Sequence, residues 1–495
     1  MMYQSTRDKS HKKYSAAEVI KMGLAPDGGL FIPESIPALT EDEIRTLCAD
    51  PYPVRAAKIL SKFLSDYTYE ELLSDCTAAY ADTSFPGGAA PLVKVRDHVY
   101  SLELWHGPTA AFKDMALQIM PRLLSRALVK TGETRNALIL VATSGDTGKA
   151  ALEGYKDIDR IKIMVFYPVD GVSRVQKLQM ATQTGDNVHV CAIRGNFDDA
   201  QTGVKKIFGD PAMAEKLNER GYILSSANSI NWGRLAPQIV YYVSAYCDLL
   251  NNGTVTMGET MDVCVPTGNF GNIFAGYIAK LMGLPIRHFV CASNQNNILT
   301  DFLRTGTYDR NRAFHLTMSP SMDILISSNL ERLLCLTAGE ERTTAYMDAL
   351  KQTGAYTVDA DVQKAIAANF SGYFADETAT ADTIRDYFDN SGYLADTHTA
   401  VALNCAGQYM ATLSADDVRP IVVDSTASPY KFAADVYTSL KGTSLSDPLA
   451  ALDELSKVSG TEIPYPLCGL AERTVRFAGV IDADDMPAAV LDYCN

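Results

Sequence analysis

From about residue 95 onward the chain repeats one unit: a short continuous apolar run, a glycine-rich turn, then a helical pattern. Residues 137–143 (ALILVAT) run into Ser144-Gly-Asp-Thr-Gly148 and a helical stretch from Lys149. Residues 162–167 (KIMVFY) lead past Pro168 into a helical pattern through Lys177 and Met180, and 188–193 lead into 198–208. Residues 261–266 (MDVCVP) open onto Thr267-Gly-Asn-Phe-Gly-Asn272 and an apolar helix over 273–282, while 287–292 and 420–424 complete the set. A strand that is apolar on both faces must be covered on both, and a helix between successive strands makes them parallel. The expectation is a multi-domain α/β chain of parallel sheets with helices on both faces.

The first 95 residues read differently, as polar helical segments around the turn Pro26-Asp-Gly-Gly-Leu30, and form an α-rich N-terminal domain in this reading. Residues 96–440 form the catalytic region, with a small α/β subdomain over about 114–212 and a helical insertion without strong strand runs over about 300–395. Residues 441–495 are left as a C-terminal extension.

At 495 residues the chain can bury a core that needs no disulfide staples. Its net charge of −15 argues against a nucleic-acid partner, which needs a basic surface. The ten cysteines are scattered without a CxxC pair and read as reduced core thiols; the seven histidines show no HExxH spacing, so no metal site is expected. The first thirteen residues are polar where a secretory signal needs an apolar stretch, and no run approaches the ~18 apolar residues that span a bilayer. No membrane partner and a cytoplasmic location are the default expectations, with the chain a monomer or homodimer.

Three loops carry candidate chemistry. Gly268-Asn-Phe-Gly-Asn272 lies between a strand and a helix, where backbone N–H groups and the helix N-terminus favour an oxyanion; read alone it is equally an ordinary βα turn. It lacks the third glycine and the downstream acid of a dinucleotide fingerprint. Ser144-Gly-Asp-Thr-Gly148 has the same setting and fits a carboxylate, or a loop closed by Asp146 capping the next helix. It is not a nucleotide P-loop, since Thr143 and Ala150 stand where that motif needs Gly and Ser or Thr. His106-Gly-Pro-Thr-Ala-Ala-Phe-Lys-Asp114 puts Lys113 directly before an amphipathic helix over 115–129. A helix N-terminus disfavours a cation, so the Lys113 pKa is expected to fall, which suits an amine nucleophile.

A reactive lysine, a carboxylate-type loop and a phosphate-type loop in that order resemble the tryptophan synthase-like pyridoxal-phosphate enzymes, and most closely the threonine synthases. Residues 106–114 match that family's H-G-P-T-x-A-F-K-D signature, and 144–148 and 266–272 match its two loops. Residues 225–234 (SSANSINWGR) resemble its S-x-N-S-I-N-W-x-R stretch, and Gly28-Gly-Leu-Phe-Ile-Pro33 fits as well. Asp396-Thr-His-Thr-Ala400 departs from D-P-H-T-A at Thr397, and Ser425-Thr-Ala-Ser-Pro-Tyr-Lys-Phe432 departs from S-T-A-H-P-x-K-F at Ser428.

The resemblance implies the fold type II architecture and pyridoxal 5′-phosphate carried by Lys113 as a Schiff base. It assigns the cofactor phosphate to Gly268, Asn269, Phe270, Gly271 and Asn272, and the pyridine nitrogen to Thr426. Ser144, Gly145, Asp146 and Thr147 would grip the substrate carboxylate, with Asn231 and Arg234 as further substrate or phosphate contacts and a structural ion pair as the other reading of Arg234. His106 and Asp114 are expected to position the lysine loop, and His398 to be structural. The implied reaction is O-phospho-L-homoserine plus water giving L-threonine and phosphate. The alternatives are a lyase releasing 2-oxobutyrate and a non-catalytic ligand-binding relative.

Overall fold

The computed structural model describes residues 1–495 apart from Lys9, Ser144, Gly171 and Ser446. Two parallel-rich sheets form the molecule's framework. The larger has six strands in the order Phe370–Phe374, Ile286–Ser293, Met261–Pro266, Ile421–Ser425, Val99–Glu103 and Leu92–Arg96, all parallel neighbours except the last pair. The smaller has five parallel strands in the order Val480–Asp482, Val188–Arg194, Ile161–Pro168, Asn136–Ala142 and Tyr222–Ser225. Central strands such as Met261–Pro266 are buried at every position, as expected of a sheet covered on both faces.

The N-terminal region packs four helices on a two-stranded sheet, Tyr3–Ser5 against Phe31–Pro33. Three of those helices, Ala16–Met22, Glu41–Ala49 and Tyr69–Ala79, open with a capping box: Ser15 with Glu18, Thr40 with Glu43 and Thr68 with Glu71. Each box satisfies two N–H groups that the first turn leaves without acceptors. This layer closes on the helix Trp232–Asn251, where the Trp232 ring meets Tyr3 and Phe63 and Arg55 bonds Ser244 and Asp248.

The structure corrects one sequence expectation and adds to two others. The helix expected over 115–129 is two, Asp114–Leu117 and Met120–Lys130, because Pro121 cannot donate to the preceding turn and instead sits in the first turn of the second helix. Residues 300–395 are mainly helical but also supply the edge strand Phe370–Phe374 and the antiparallel pair Thr307–Asp309 with Ala355–Thr357. Those runs are short, and Gly372 breaks the apolar pattern in the first. The C-terminal residues are built into both halves: Ala451, Leu452 and Leu455 lie in the core beside the large sheet, Val480–Asp482 pairs with Val188–Arg194, and helix Met486–Tyr493 buries Met486 and Val490 in the small-sheet core. Among the described residues no helix is long and apolar enough to cross a membrane.

Candidate active site

The site is assembled at the carboxyl ends of both sheets, where open parallel sheets place ligands. Residues after Val99–Glu103 and after Ile421–Ser425 are zipped together. Leu104 N–H donates to Ser425 O (2.9 Å), Phe112 N–H to Thr426 O (2.8 Å) and Ser428 N–H to Ala110 O (3.0 Å). Lys113 is thereby fixed beside Thr426, and the next residue anchors the turn: the buried Asp114 carboxylate accepts from Thr109 N–H (2.8 Å) and its hydroxyl (2.7 Å). Burial pushes the Asp114 carboxyl up to about 6 against those bonds. His106, bonded to Glu103 at 2.8 Å and stacked on Trp105, supports the start of the same turn.

Lys113 is nearly buried, its side chain 12% exposed. Its pKa falls to about 8, as the sequence suggested, but for a different reason. Burial is the main cause, with Lys431 and Arg234 adding to it and Asp146 opposing. The helix that follows has only four residues, too few for an appreciable dipole. The lysine turn is pressed on helix Asp146–Tyr155, because a Cβ at Gly154 would run into the Leu117 carbonyl.

Of the first loop, Ser144 lies outside the described residues. Gly145 has φ 144°, open to glycine alone, and a Cβ there would collide with Gln176. Gly145, not Asp146, caps the helix, and Thr143 Oγ1 accepts from Gly145 N–H (2.9 Å) and Gly148 N–H (3.0 Å). The Asp146 side chain is unsuited to a substrate carboxylate: it is itself an anion, paired with Lys431 Nζ at 2.8 Å and 3.9 Å from Lys113 Nζ. Burial alone would raise that carboxyl, but Lys431 and then Lys113 hold it well below the usual range. An α-carboxylate is left with backbone donors at the helix N-terminus and the Thr147 hydroxyl.

The second loop is held from behind by an amide, with the Arg332 cation one step further back and no carboxylate directly on it. Asn329 N–H (3.0 Å) and Nδ2 (2.9 Å) donate to Asn269 O. The buried Arg332 bonds Asn329, Phe31 O (2.9 Å) and Ile230 O (2.5 Å), tying loop and N-terminal layer together. Phe270, not a glycine, takes the left-handed conformation (φ 60°, ψ 0°) that starts helix Gly271–Met282. That conformation costs roughly 1–2 kcal/mol, and burying an aromatic ring returns about 1.5–3 kcal/mol; the Phe270 ring is 1% exposed. Phe270 can therefore serve a ligand only through its backbone. The Asn272 carbonyl Oδ1 accepts from Tyr241 and Tyr242, whose hydroxyl lies 2.7 Å from Asp424 Oδ2.

The two candidates in the 225–234 stretch separate. Asn231 is fully buried and caps helix Trp232–Asn251: Nδ2 donates to Ile20 O and Ser226 O, and Oδ1 accepts from Gly233 N–H. No donor remains for an anionic substrate, and the side chain is used as a structural cap. Arg234 is buried with one bond, Nη1 to Ala227 O (3.0 Å); its Nε has no partner and no carboxylate pairs it among the described residues. Burial lowers its pKa to about 10, still a cation at neutral pH. The structural ion pair is excluded among the described residues, and an unpaired buried guanidinium fits a phosphate.

These donors fit pyridoxal phosphate. Lys113 offers an amine deprotonated to a useful degree near neutrality, the head of Gly271–Met282 offers backbone donors, and Thr426 offers a hydroxyl. Sequence reasoning overlooked Lys431, Gln176 and Ser321, which surround Asp146; Lys431 lies inside a stretch it had singled out, and a lysine between Tyr430 and Phe432 was its available signal.

Residues 2–80 match the family model of the threonine synthase N terminus, and residues 84–424 that of pyridoxal-phosphate-dependent enzymes. The chain is 39% identical over 438 residues to the threonine synthase of Pseudomonas aeruginosa, covering 87% of this chain and 89% of that one. It is 40% identical over 450 residues to human threonine synthase-like 1, covering 88% of this chain but 59% of that relative's length. The PLP-bound threonine synthase of Brucella melitensis superposes with a TM-score of 0.88 at 36% identity, over 100% of this chain and 98% of that one. The chain thus belongs to the threonine synthase family of pyridoxal-phosphate-dependent enzymes.

Proposed function

We propose that the chain converts O-phospho-L-homoserine and water to L-threonine and phosphate, with Lys113 as the cofactor lysine and the proton carrier. The observation that carries this reading is the pairing of Lys113, with its pKa near 8, and the buried, unpaired Arg234 in one site. Bound pyridoxal phosphate supplies an electron sink for the amino-acid carbons. Lys113 would hold it, the amides at the head of Gly271–Met282 would take its phosphate, and the Thr426 hydroxyl would serve its ring nitrogen. A hydroxyl there cannot hold the full positive charge that a carboxylate would stabilise. Lys113 near neutrality can both take and return protons at successive substrate carbons, since a pKa close to the working pH serves both directions.

The Thr147 hydroxyl and the amides of its turn bind the α-carboxylate. Arg234 binds the departing phosphate, and its contact supplies binding energy away from the reacting carbons. The relatives named threonine synthase support this substrate. Incubation with O-phospho-L-homoserine tests it: phosphate and L-threonine should appear in equal amounts. Release of 2-oxobutyrate as the main product would select the lyase reading, and a yellow protein that turns over nothing would select the binding relative.

A further inference from the structure

Lys431 is a buried charged side chain of the site that the proposed chemistry does not use. It sits in the 3₁₀ turn Pro429–Phe432, and its side chain is wholly buried. Its ammonium donates to Asp146 Oδ1 at 2.8 Å and to the Thr109 carbonyl at 3.0 Å. Asp146 Oδ2 lies 3.9 Å from Lys113 Nζ and accepts from Ser321 Oγ at 3.4 Å, while Gln176 Nε2 donates to Oδ1 at 2.9 Å. One carboxylate is therefore shared by two lysines brought from residues 113 and 431, and the tighter contact belongs to Lys431. Through Thr109, whose N–H and hydroxyl hold Asp114, Lys431 also grips the turn that carries Lys113.

The charged groups that act on Lys113 are few. Asp146 favours its ammonium form, as does the adjacent Asp114, while Lys431 and Arg234 oppose it; Glu153 acts in turn on Asp114. Without Lys431, a full carboxylate beside Lys113 would favour the protonated nitrogen, and a protonated amine can neither attack an aldehyde nor accept a proton. With Lys431 in place, most of the Asp146 charge is spent on a partner at shorter range.

We infer that Lys431 is a positioning residue that sets the proton affinity of the Lys113 nitrogen by claiming the Asp146 carboxylate, an inference that rests on Lys113 being the cofactor lysine. The pair is a tuning device rather than a strut. A strut would need no reacting nitrogen on the far oxygen of its carboxylate, and it would leave the Lys113 titration untouched.

Borohydride reduction of the cofactor-loaded enzyme and peptide mapping come first. Label on Lys113 secures the reading beneath the inference; label on any other lysine, Lys431 included, removes both. The visible band of the loaded enzyme is then titrated against pH. Lys431→Met should raise its midpoint by about one pH unit or more, and Asp146→Asn should lower it, the direction each lost charge dictates. Lys431→Arg should return it towards the parent. An unchanged midpoint in Lys431→Met with lowered thermal stability makes Lys431 a structural pair and overturns the inference. An unchanged midpoint with weakened inhibition by inorganic phosphate makes it a ligand of the leaving group and also overturns it. If Lys431→Met does not fold, Lys431→Gln, which keeps a donor towards Asp146 and Thr109 without the charge, should still raise the midpoint by about one unit; an unchanged midpoint there overturns the inference.

Discussion

The loops over 145–148 and 268–272 begin alike, each after a parallel strand and at the head of a helix, yet they are backed in opposite ways. Behind the first stand full charges: Asp146 between Lys431 and Lys113, and further along the same helix Lys149 with Glu153 at 2.9 Å. Against the second stand amides, hydroxyls and an acid: Asn329, Tyr241, Tyr242 and the carboxyl of Asp424, raised to about 7 by burial, with the Arg332 cation one bond further back through Asn329. A loop that must take a dianion and keep it is best left free of competing carboxylates. A loop beside the reacting nitrogen can use charge to adjust that nitrogen. On the proposed roles the same strand–loop–helix pattern serves two purposes, and the difference lies in side chains that come from elsewhere in the chain.

The largest effect should come from introducing charge into the neutral loop. Gly271 has an ordinary helical φ, so substitution there brings no conformational penalty, and a Cβ would meet Asn329 Nδ2 at 3.2 Å, a contact that a small shift relieves. Gly271→Asp should therefore fold, since a carboxylate in the first turn of a helix is tolerated. It should, however, set a carboxylate against the cofactor phosphate, and like charges at contact cost several kcal/mol. The dissociation constant for the cofactor should rise at least about 100-fold, roughly 2.8 kcal/mol. It is measured by equilibrium dialysis beside a thermal melt. Retained cofactor with a normal melt would break the assignment of this loop.

The charged loop should respond differently to removal of one hydroxyl. Thr147→Val keeps volume and leaves Asp146, Lys431 and Lys113 in place, so the visible band and its intensity should be unchanged. A hydrogen bond to a charged substrate contributes roughly 1.5–3 kcal/mol, which predicts about a ten- to hundredfold rise in KM with little change in kcat. Loss of cofactor in this variant would show that the two loops are not separable in the way their surroundings suggest.

How much of this was legible in the sequence follows from how local each feature is. The strand over 261–266 and the helices after it could be read because continuous apolar runs and helical periods are local patterns. The edge strands Phe370–Phe374 and Val480–Asp482 could not, since five and three residues of mixed polarity carry no such signal. At the site, Lys113 stood out beside its loops, but the role of Asp146 depends on a lysine 285 residues away in the chain. Asn231 looked like a ligand because its type suits one; only its three hydrogen bonds, two of them to backbone carbonyls, show that it is already used. The lowered Lys113 pKa was anticipated from a helix end and is produced by burial, a property of the packed molecule.

The smallest expected effect concerns the proton that makes the second loop neutral. Tyr242 has one hydroxyl proton, yet its oxygen lies 2.7 Å from both Asn272 Oδ1 and Asp424 Oδ2, and both are acceptors if Asp424 is ionised. A protonated Asp424 resolves the conflict by donating to Tyr242, which then donates to Asn272. Burial raises the Asp424 carboxyl to about 7, with the Tyr242 bond and the nearby Asn272 amide opposing, and Oδ1 has no partner, which a neutral acid tolerates better than a carboxylate. The sign follows directly: the native carboxyl binds its proton more tightly than the unfolded one, so between about pH 4 and 7 the native state holds more protons and stability falls as pH rises. Asp114, raised to about 6, adds a slope of the same sign but is untouched by substitution at 424. Asp424→Asn keeps the shape and a donor towards Tyr242 without the titration. The two proteins should melt alike near pH 4, and the variant should gain about 1–2 kcal/mol over the parent by pH 8, the discounted equivalent of the shifted pKa. Chemical denaturation across that range measures the difference, and parallel stability curves would mean that the second loop is backed by an ionised carboxylate, erasing the contrast between the two loops.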